Sequence, residues 1–312
     1  MREAFTFKPA EFVPFTDRKV LDRVRNISRE DMEKHPNPEF KIRIVPDVNS
    51  IWVGDMFSRI KESDEKDKKI VIILPNPAPG TYTAVAELIN RFQISCRNVY
   101  VFNMDEWADD QGNVAPETYT AGLKYSVMKY LYSRINEDLR MPRDHIVGPT
   151  TETISDYSQM IADCGNGGAD ICYSATGWAG HTAFIEPNST FVCDSIEEFL
   201  QMGSRIVTQH PLSIAENSQL GLFGMSGDVA SIPPCGATIG PLDIVRARNR
   251  FEMHQLTTMG TYATWQRMIS RLALYGPVNL QVAASIMQLM PTSVYVSELI
   301  AAPINCLETM VY

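Results

Sequence analysis

Ile70-Val71-Ile72-Ile73-Leu74 is the stretch on which the fold turns. Five consecutive apolar residues, four of them β-branched, are too few for a helix and leave no polar face. They read as a strand buried on both sides, the kind that parallel sheets contain. On its amino side, Lys61 to Lys69 is a run of mixed charge that reads as a solvated connector. Before that run, Val48 to Lys61 carries Ile51, Met56 and Ile60 and predicts a helix. On the carboxyl side, Thr81 to Phe92 predicts a helix and Val99 to Phe102 the next strand. Strand, helix and strand in this rhythm predict an α/β protein with a mostly parallel central sheet and helices on both faces.

The same pattern extends outward. Lys41 to Val45 alternates like a half-buried strand, and Ala169 to Ala175 reads as a buried one. Glu117 to Ile135 and Asp156 to Cys164 predict helices. Arg205 to Thr208, Phe251 to Thr258 and Ser293 to Val296 read as strands, and Tyr262 to Leu274 and Val278 to Leu289 as helices. Asp105 to Asp110 reads as an acidic loop, and Gly221 to Pro234 as a mobile segment rich in Gly, Ser and Pro. Residues 1–40 read as an N-terminal extension ending at His35-Pro36-Asn37-Pro38, with residues 41–312 as a single domain. Phe5, Phe7, Phe12 and Phe15 of the extension would pack on that domain or on a partner subunit, which keeps a homo-oligomer among the expectations.

The 312 residues carry 28 Lys and Arg against 37 Asp and Glu, a net charge of −9. That balance argues against a nucleic-acid surface, which needs basic clusters. No apolar run reaches the length of a membrane span. The six cysteines form no C-x-x-C pair, so neither a zinc site nor a redox dithiol is expected. The first residues lack the apolar core of a signal peptide, and a cytoplasmic protein with free thiols is expected.

Chemistry is expected at Gly177-Trp178-Ala179-Gly180-His181-Thr182-Ala183-Phe184-Ile185-Glu186-Pro187. This stretch follows a buried strand, and the loop beyond a strand's carboxyl end is where α/β proteins hold ligands. Gly177 and Gly180 let the backbone turn sharply and approach a ligand. His181 and Glu186 could form an acid–base couple, because a carboxylate favours the charged imidazole. A loop histidine beside a surface glutamate would show the same spacing.

Several stretches together resemble the glucosamine-6-phosphate deaminase/isomerase family, whose sister group is 6-phosphogluconolactonase. Phe102-Asn103-Met104-Asp105-Glu106-Trp107 resembles the family's F-N-M-D-E-Y, and Pro116-Glu117-Thr118-Tyr119 its P-E-S-Y. Gly167-Gly168-Ala169-Asp170 is similar to G-G-I-D, and Gly180 to Pro187 to G-H-I-A-F-N-E-P. Cys235 to Gly240 resembles a later T-x-G segment, and Ala284-Ser285-Ile286-Met287-Gln288 the A-S-x-x-Q helix. The matches keep their order over roughly residues 65 to 300. The resemblance implies a modified Rossmann-like three-layer fold and the interconversion of an amino-aldose and a ketose. It assigns C2 proton abstraction to Asp105 and ring opening to His181, helped by Glu186. Asn76, Gly80, Glu106, Gly177, Gly180 and Ser189 are expected around the sugar or sugar phosphate, and Arg205 could supply one cation there, although nothing in the sequence itself places it. The resemblance implies no cofactor and no metal.

Two departures bear on function. The family's acidic residue that orients the histidine falls on Ala179, so His181 is expected to lose that partner. The phosphate loop L-P-T-G-G-T-P reads Leu74-Pro75-Asn76-Pro77-Ala78-Pro79-Gly80, with prolines that have no N–H to donate. By ungapped count the phosphate-holding Arg and Lys fall on Ile196 and Glu198. The candidates are therefore a sugar isomerase or deaminase, a lactonase-like hydrolase using His181 as a base, and a non-catalytic sugar-binding protein. A sugar 6-phosphate held in the family manner is not expected.

Overall fold

The computed structural model describes residues 6–258 and 261–304. Its helices in chain order are α1 (Arg18–Arg25), α2 (Arg29–Met32), α3 (Val48–Glu65), α4 (Pro79–Phe92), α5 (Leu123–Tyr130), α6 (Tyr157–Cys164), α7 (Ile196–Phe199), α8 (Pro211–Ser218), α9 (Pro241–Arg246), α10 (Gln266–Tyr275) and α11 (Glu298–Ala301). Its strands are β1 (Phe40–Val45), β2 (Ile70–Leu74), β3 (Val99–Asn103), β4 (Asp105–Ala108), β5 (Ile146–Val147), β6 (Ile171–Ala175), β7 (Arg205–Thr208), β8 (Cys235–Thr238), β9 (Asn249–His254), β10 (Thr257–Thr258), β11 (Thr261–Tyr262) and β12 (Thr292–Ser297).

Seven strands form one sheet in the order β1-β12-β9-β6-β2-β3-β5. Every ladder in it is parallel. The central strand β2 shows why the sheet has two covered faces. Ile70, Ile72 and Leu74 pack with Trp52 and Met56 of α3 and Val85 and Ile89 of α4. Val71 and Ile73, pointing the other way, pack with Tyr157 and Ile161 of α6 and Ile244 of α9. Alternation along a strand thus feeds two apolar cores, one on each side. A smaller antiparallel sheet, β4-β8-β7, stands beside the carboxyl end of β3.

Local chemistry moved several boundaries. α3 continues through Glu65, into the charge run expected to be a connector. Lys61 pairs with Glu65, and Lys66 with Glu62, at the four-residue spacing that supports a helix. The acidic stretch expected as a loop begins with β4, whose four residues are all buried. The helix expected over Glu117 to Ile135 starts only at Leu123. Turns at Pro116–Tyr119 and Tyr119–Gly122 precede it, and the Glu106 carboxylate accepts from Leu123 N and Lys124 N at 2.9 and 2.8 Å, capping its amino end. Gly221 to Pro234 holds two short 3₁₀ turns, at Gly221–Phe223 and Val229–Ser231. The strand expected to reach Thr258 stops at His254, α10 begins at Gln266, and 278–289 is helical only as a 3₁₀ segment over Ala283–Leu289.

The N-terminal segment packs through α1. Val24 is fully buried against Leu272 and Ala273 of α10, with Phe15 beside them. Phe12 and Phe7 are exposed, and Phe5 lies outside the described residues. No described helix is long and apolar enough to cross a membrane.

Candidate active site

The carboxyl ends of β2, β3, β6 and β9 open on a cavity of about 350 Å³. That is where an open parallel sheet leaves a crevice for ligands. Asn76, Gly80, Asp105, Gly177 and His181 line it.

The loop after β6 is built around His181. Gly177 N donates to His181 O at 3.0 Å, and Gly180 N to Gly177 O at 2.9 Å. A Cβ on Gly177 would sit 1.9 Å from His181 Nε2, so only glycine leaves room for the ring. Gly180, at φ +87°, occupies backbone space that other residues adopt at a cost. Gly180 thus shapes the loop and contributes nothing to the cavity lining.

The His181 ring is held on both edges. Nδ1 lies 3.2 Å from Glu186 Oε2 and 3.0 Å from Ser213 Oγ. The Ser213 hydroxyl also donates to Glu186 Oε2 at 2.9 Å. On the other edge Nε2 lies 3.9 Å from Glu216 Oε2, which accepts from Trp178 N at 2.8 Å. This corrects the expectation that Ala179 leaves His181 without an orienting partner. The partner set comes from Glu186 and from Ser213 and Glu216 of α8. Burial favours the neutral ring, but Glu186, Glu216 and Asp105 outweigh it and raise His181 to about 9. His181 is therefore an imidazolium at neutral pH. Burial pushes Glu216 up to about 7, against the pull of His181 and the Trp178 N–H.

Asp105 stands opposite as the first residue of β4, directly after Met104. It is 5% exposed, and its Oδ1 has no hydrogen-bond partner. Burial, reinforced by Glu106 and Glu186, raises its carboxyl well above the ordinary range. Glu106 points the other way and accepts from the Trp107, Leu123 and Lys124 N–H groups. It is a scaffold carboxylate and does not line the cavity, contrary to the substrate-binding role expected for it. Glu186 sits behind His181 with Oε2 bonded to the ring and to Ser213, while its Oε1 is buried without a partner among the described residues.

Two further expected contacts do not reach the cavity. The Ser189 hydroxyl donates to Glu186 O at 2.7 Å, closing its own turn. Arg205 donates to Thr190 O and Gly203 O and lies 4.5 Å over the Phe191 ring. Ile196 and Glu198 sit on α7 with Glu198 exposed, because Ser195 caps that turn and Phe199 anchors it in the core. Neither lines the cavity, so Glu198 does not repel a ligand there. Arg250 is buried and bonded to the carbonyls of Pro291, Ile244 and Ala247 rather than solvated.

Sequence reading missed Ser213 and Glu216. His210-Pro211 carried a usable signal: His210 caps α8 through its Nδ1, and proline suits the first helical position. Trp178 stacks on Trp265 with ring centres 5.9 Å apart. Among the described residues no group of His, Cys, Asp and Glu forms a metal-binding cluster.

No family model matches the chain. Its sequence is 28% identical over 197 residues to glucosamine-6-phosphate deaminase from Caenorhabditis elegans, covering 61% of this chain and 66% of that protein. Its fold matches the structure of a monomeric glucosamine-6-phosphate deaminase with a TM-score of 0.65 at 18% identity, covering 84% of this chain and 99% of that one. It also matches 6-phosphogluconolactonase from Trypanosoma cruzi with a TM-score of 0.60 at 14% identity, over 88% of this chain and 100% of that one. The chain is a divergent relative of the glucosamine-6-phosphate deaminases, built on the fold they share with the 6-phosphogluconolactonases.

Proposed function

We propose that this protein moves a proton between neighbouring carbons of an amino sugar, in the manner of a deaminase/isomerase. One observation supports this above the others: Asp105, with a buried unpartnered carboxyl oxygen, and His181, backed by Glu186, face the same cavity. His181 as imidazolium donates a proton to the ring oxygen and recovers one from the C1 hydroxyl, so the sugar opens to its aldehyde form. Asp105 as carboxylate takes the proton from C2 and returns it at C1. Water then adds at C2 and ammonia leaves, so amino-aldose and water give ketose and ammonia. A carboxylate that its surroundings do not stabilise is the stronger base toward carbon.

The same charge state weakens the lactonase reading. That chemistry needs a neutral imidazole to take a proton from water. A ring raised to about 9 is mostly protonated at pH 7.

Exchange of the C2 proton in deuterated water tests the proposal. Asp105→Asn keeps the side chain's shape without its basicity. It is expected to slow exchange by about 10²–10⁴-fold while sugar binding persists. Unchanged exchange would remove Asp105 from the mechanism.

A further inference from the structure

The cavity is poor in positive charge. No lysine or arginine lines it among the described residues. Its ionisable lining groups are Asp105, His181 and Glu216, and His181 is already matched with Glu186. Cations adjacent in sequence to the lining residues are engaged elsewhere. Lys124 pairs with Glu117 at 3.0 Å, and Arg267 donates to the carbonyls of Ala302 and Pro303.

One feature favours an anion. The amino end of α4 opens on the cavity through Pro79, Gly80 and Thr81. Proline has no N–H, so that end offers backbone donors from Gly80 and Thr81 with no basic side chain in support. Against it stand two carboxyl groups. Asp105 Oδ1 is buried without a partner. Glu216 is 9% exposed; its Oε2 holds the Trp178 N–H, and its Oε1 has no hydrogen-bond partner among the described residues. The rest of the polar lining is mainly side-chain amide: Asn49, Asn76, Asn217, Gln255 and Gln266. Amides both donate and accept, as sugar hydroxyls do.

On the reading that this cavity is the site of proton transfer, we propose that its ligand is an unphosphorylated amino sugar whose ammonium group is received by Glu216. A phosphate would meet carboxyl groups where it needs cations. An ammonium meets a carboxylate with one free oxygen. Charge-assisted hydrogen bonds of this kind change affinity by about tenfold to a hundredfold.

Calorimetry on the full chain at pH 7.5 with glucosamine, glucose and glucosamine 6-phosphate tests this. Glucosamine is expected to bind at least tenfold more tightly than either of the others. In Glu216→Gln the preference for glucosamine over glucose, read as the ratio of the two affinities, should collapse to within a few-fold. Tighter binding of the 6-phosphate than of glucosamine would overturn the inference, as would an unchanged preference in the variant or no binding of glucosamine. C2 exchange measured on the same three sugars separates the two levels. Exchange with the 6-phosphate alone would sink the ligand class and leave the proton-transfer reading standing. Tight glucosamine binding with no exchange would do the reverse.

Discussion

Among the described residues, His181 beside Glu186 and His254 beside Glu252 lie buried at neighbouring strand ends, and the two rings have opposite charge states. His181 and Glu186 follow β6; Glu252 and His254 lie on β9. In the first pair Nδ1 meets the carboxylate at 3.2 Å, and Ser213 bonds to the same oxygen. In the second, Nε2 is 3.6 Å from Glu252 Oε1 and has no hydrogen-bond partner. His254 Nδ1 lies 2.9 Å from Ser270 Oγ, and Glu252 accepts from Ser174 and Thr176. Burial alone drives His254 down to about 3 and drives Glu252 up to about 7 despite those hydroxyl donors. Around His181 the same burial is overcome by Glu186, Glu216 and Asp105. Burial makes a neutral ring the default, and a charged ring requires direct contact with one carboxylate and further carboxylates nearby. The charged ring, His181, lines the cavity. The neutral ring, His254, sits beside Glu252, which ties β9 to the end of β6 behind it.

The largest effect is expected from His181→Gln, which removes the proposed acid for ring opening. Turnover of an amino-sugar substrate should fall by about 10²–10⁴-fold, measured against a substrate supplied in open-chain form, which should be largely spared. Equal loss on both would show that the ring does not act at the opening step.

Glu186→Gln should cost less, roughly ten- to a hundredfold. Its pH profile carries the sharper information. With Glu186 present, His181 keeps its proton up to about 9, so activity should fall as pH rises through that value. With glutamine, burial regains its weight and the alkaline limb should move to lower pH. An unmoved limb would mean that Glu186 does not set the charge of His181.

Glu252→Gln should leave turnover within a few-fold and appear chiefly in stability. Burial holds Glu252 at about 7 in the folded protein, against an ordinary glutamate value of 4.5. Between those values the folded protein binds the extra proton, so its stability falls as pH rises through that window. The glutamine variant lacks this loss. Its stability relative to the parent should grow by on the order of 2–3 kcal/mol from pH 4.5 to above 7, read by denaturant unfolding. A difference independent of pH would mean that Glu252 does not hold a proton in this range.

Much of the fold was legible because its signals are local. Ile70–Leu74 is a strand of those bounds, and Arg205–Thr208 likewise. Signals of mixed origin failed: the charges at 61–65 served a helix, and Glu117 to Gly122 turned because the Glu106 carboxylate caps Leu123 and Lys124 from another element. The site was legible in part. Asp105, His181 and Glu186 lie together, whereas Ser189 and Arg205 are spent on backbone carbonyls.

The sequence by itself determined the alternation of buried strands and amphipathic helices, the glycine turn that admits His181, and an excess of acidic over basic charge. These follow from side-chain period, backbone freedom and residue counts, which act at short range or need no geometry. The tertiary structure alone decided which carboxylates meet His181. Ser213 is 32 residues away from it in the chain, and Glu216 acts from the same distant helix. It also decided that Asp105 and Glu106, adjacent in sequence, have different tasks. A strand turns successive side chains to opposite faces, so one carboxyl enters the cavity and the other caps a helix.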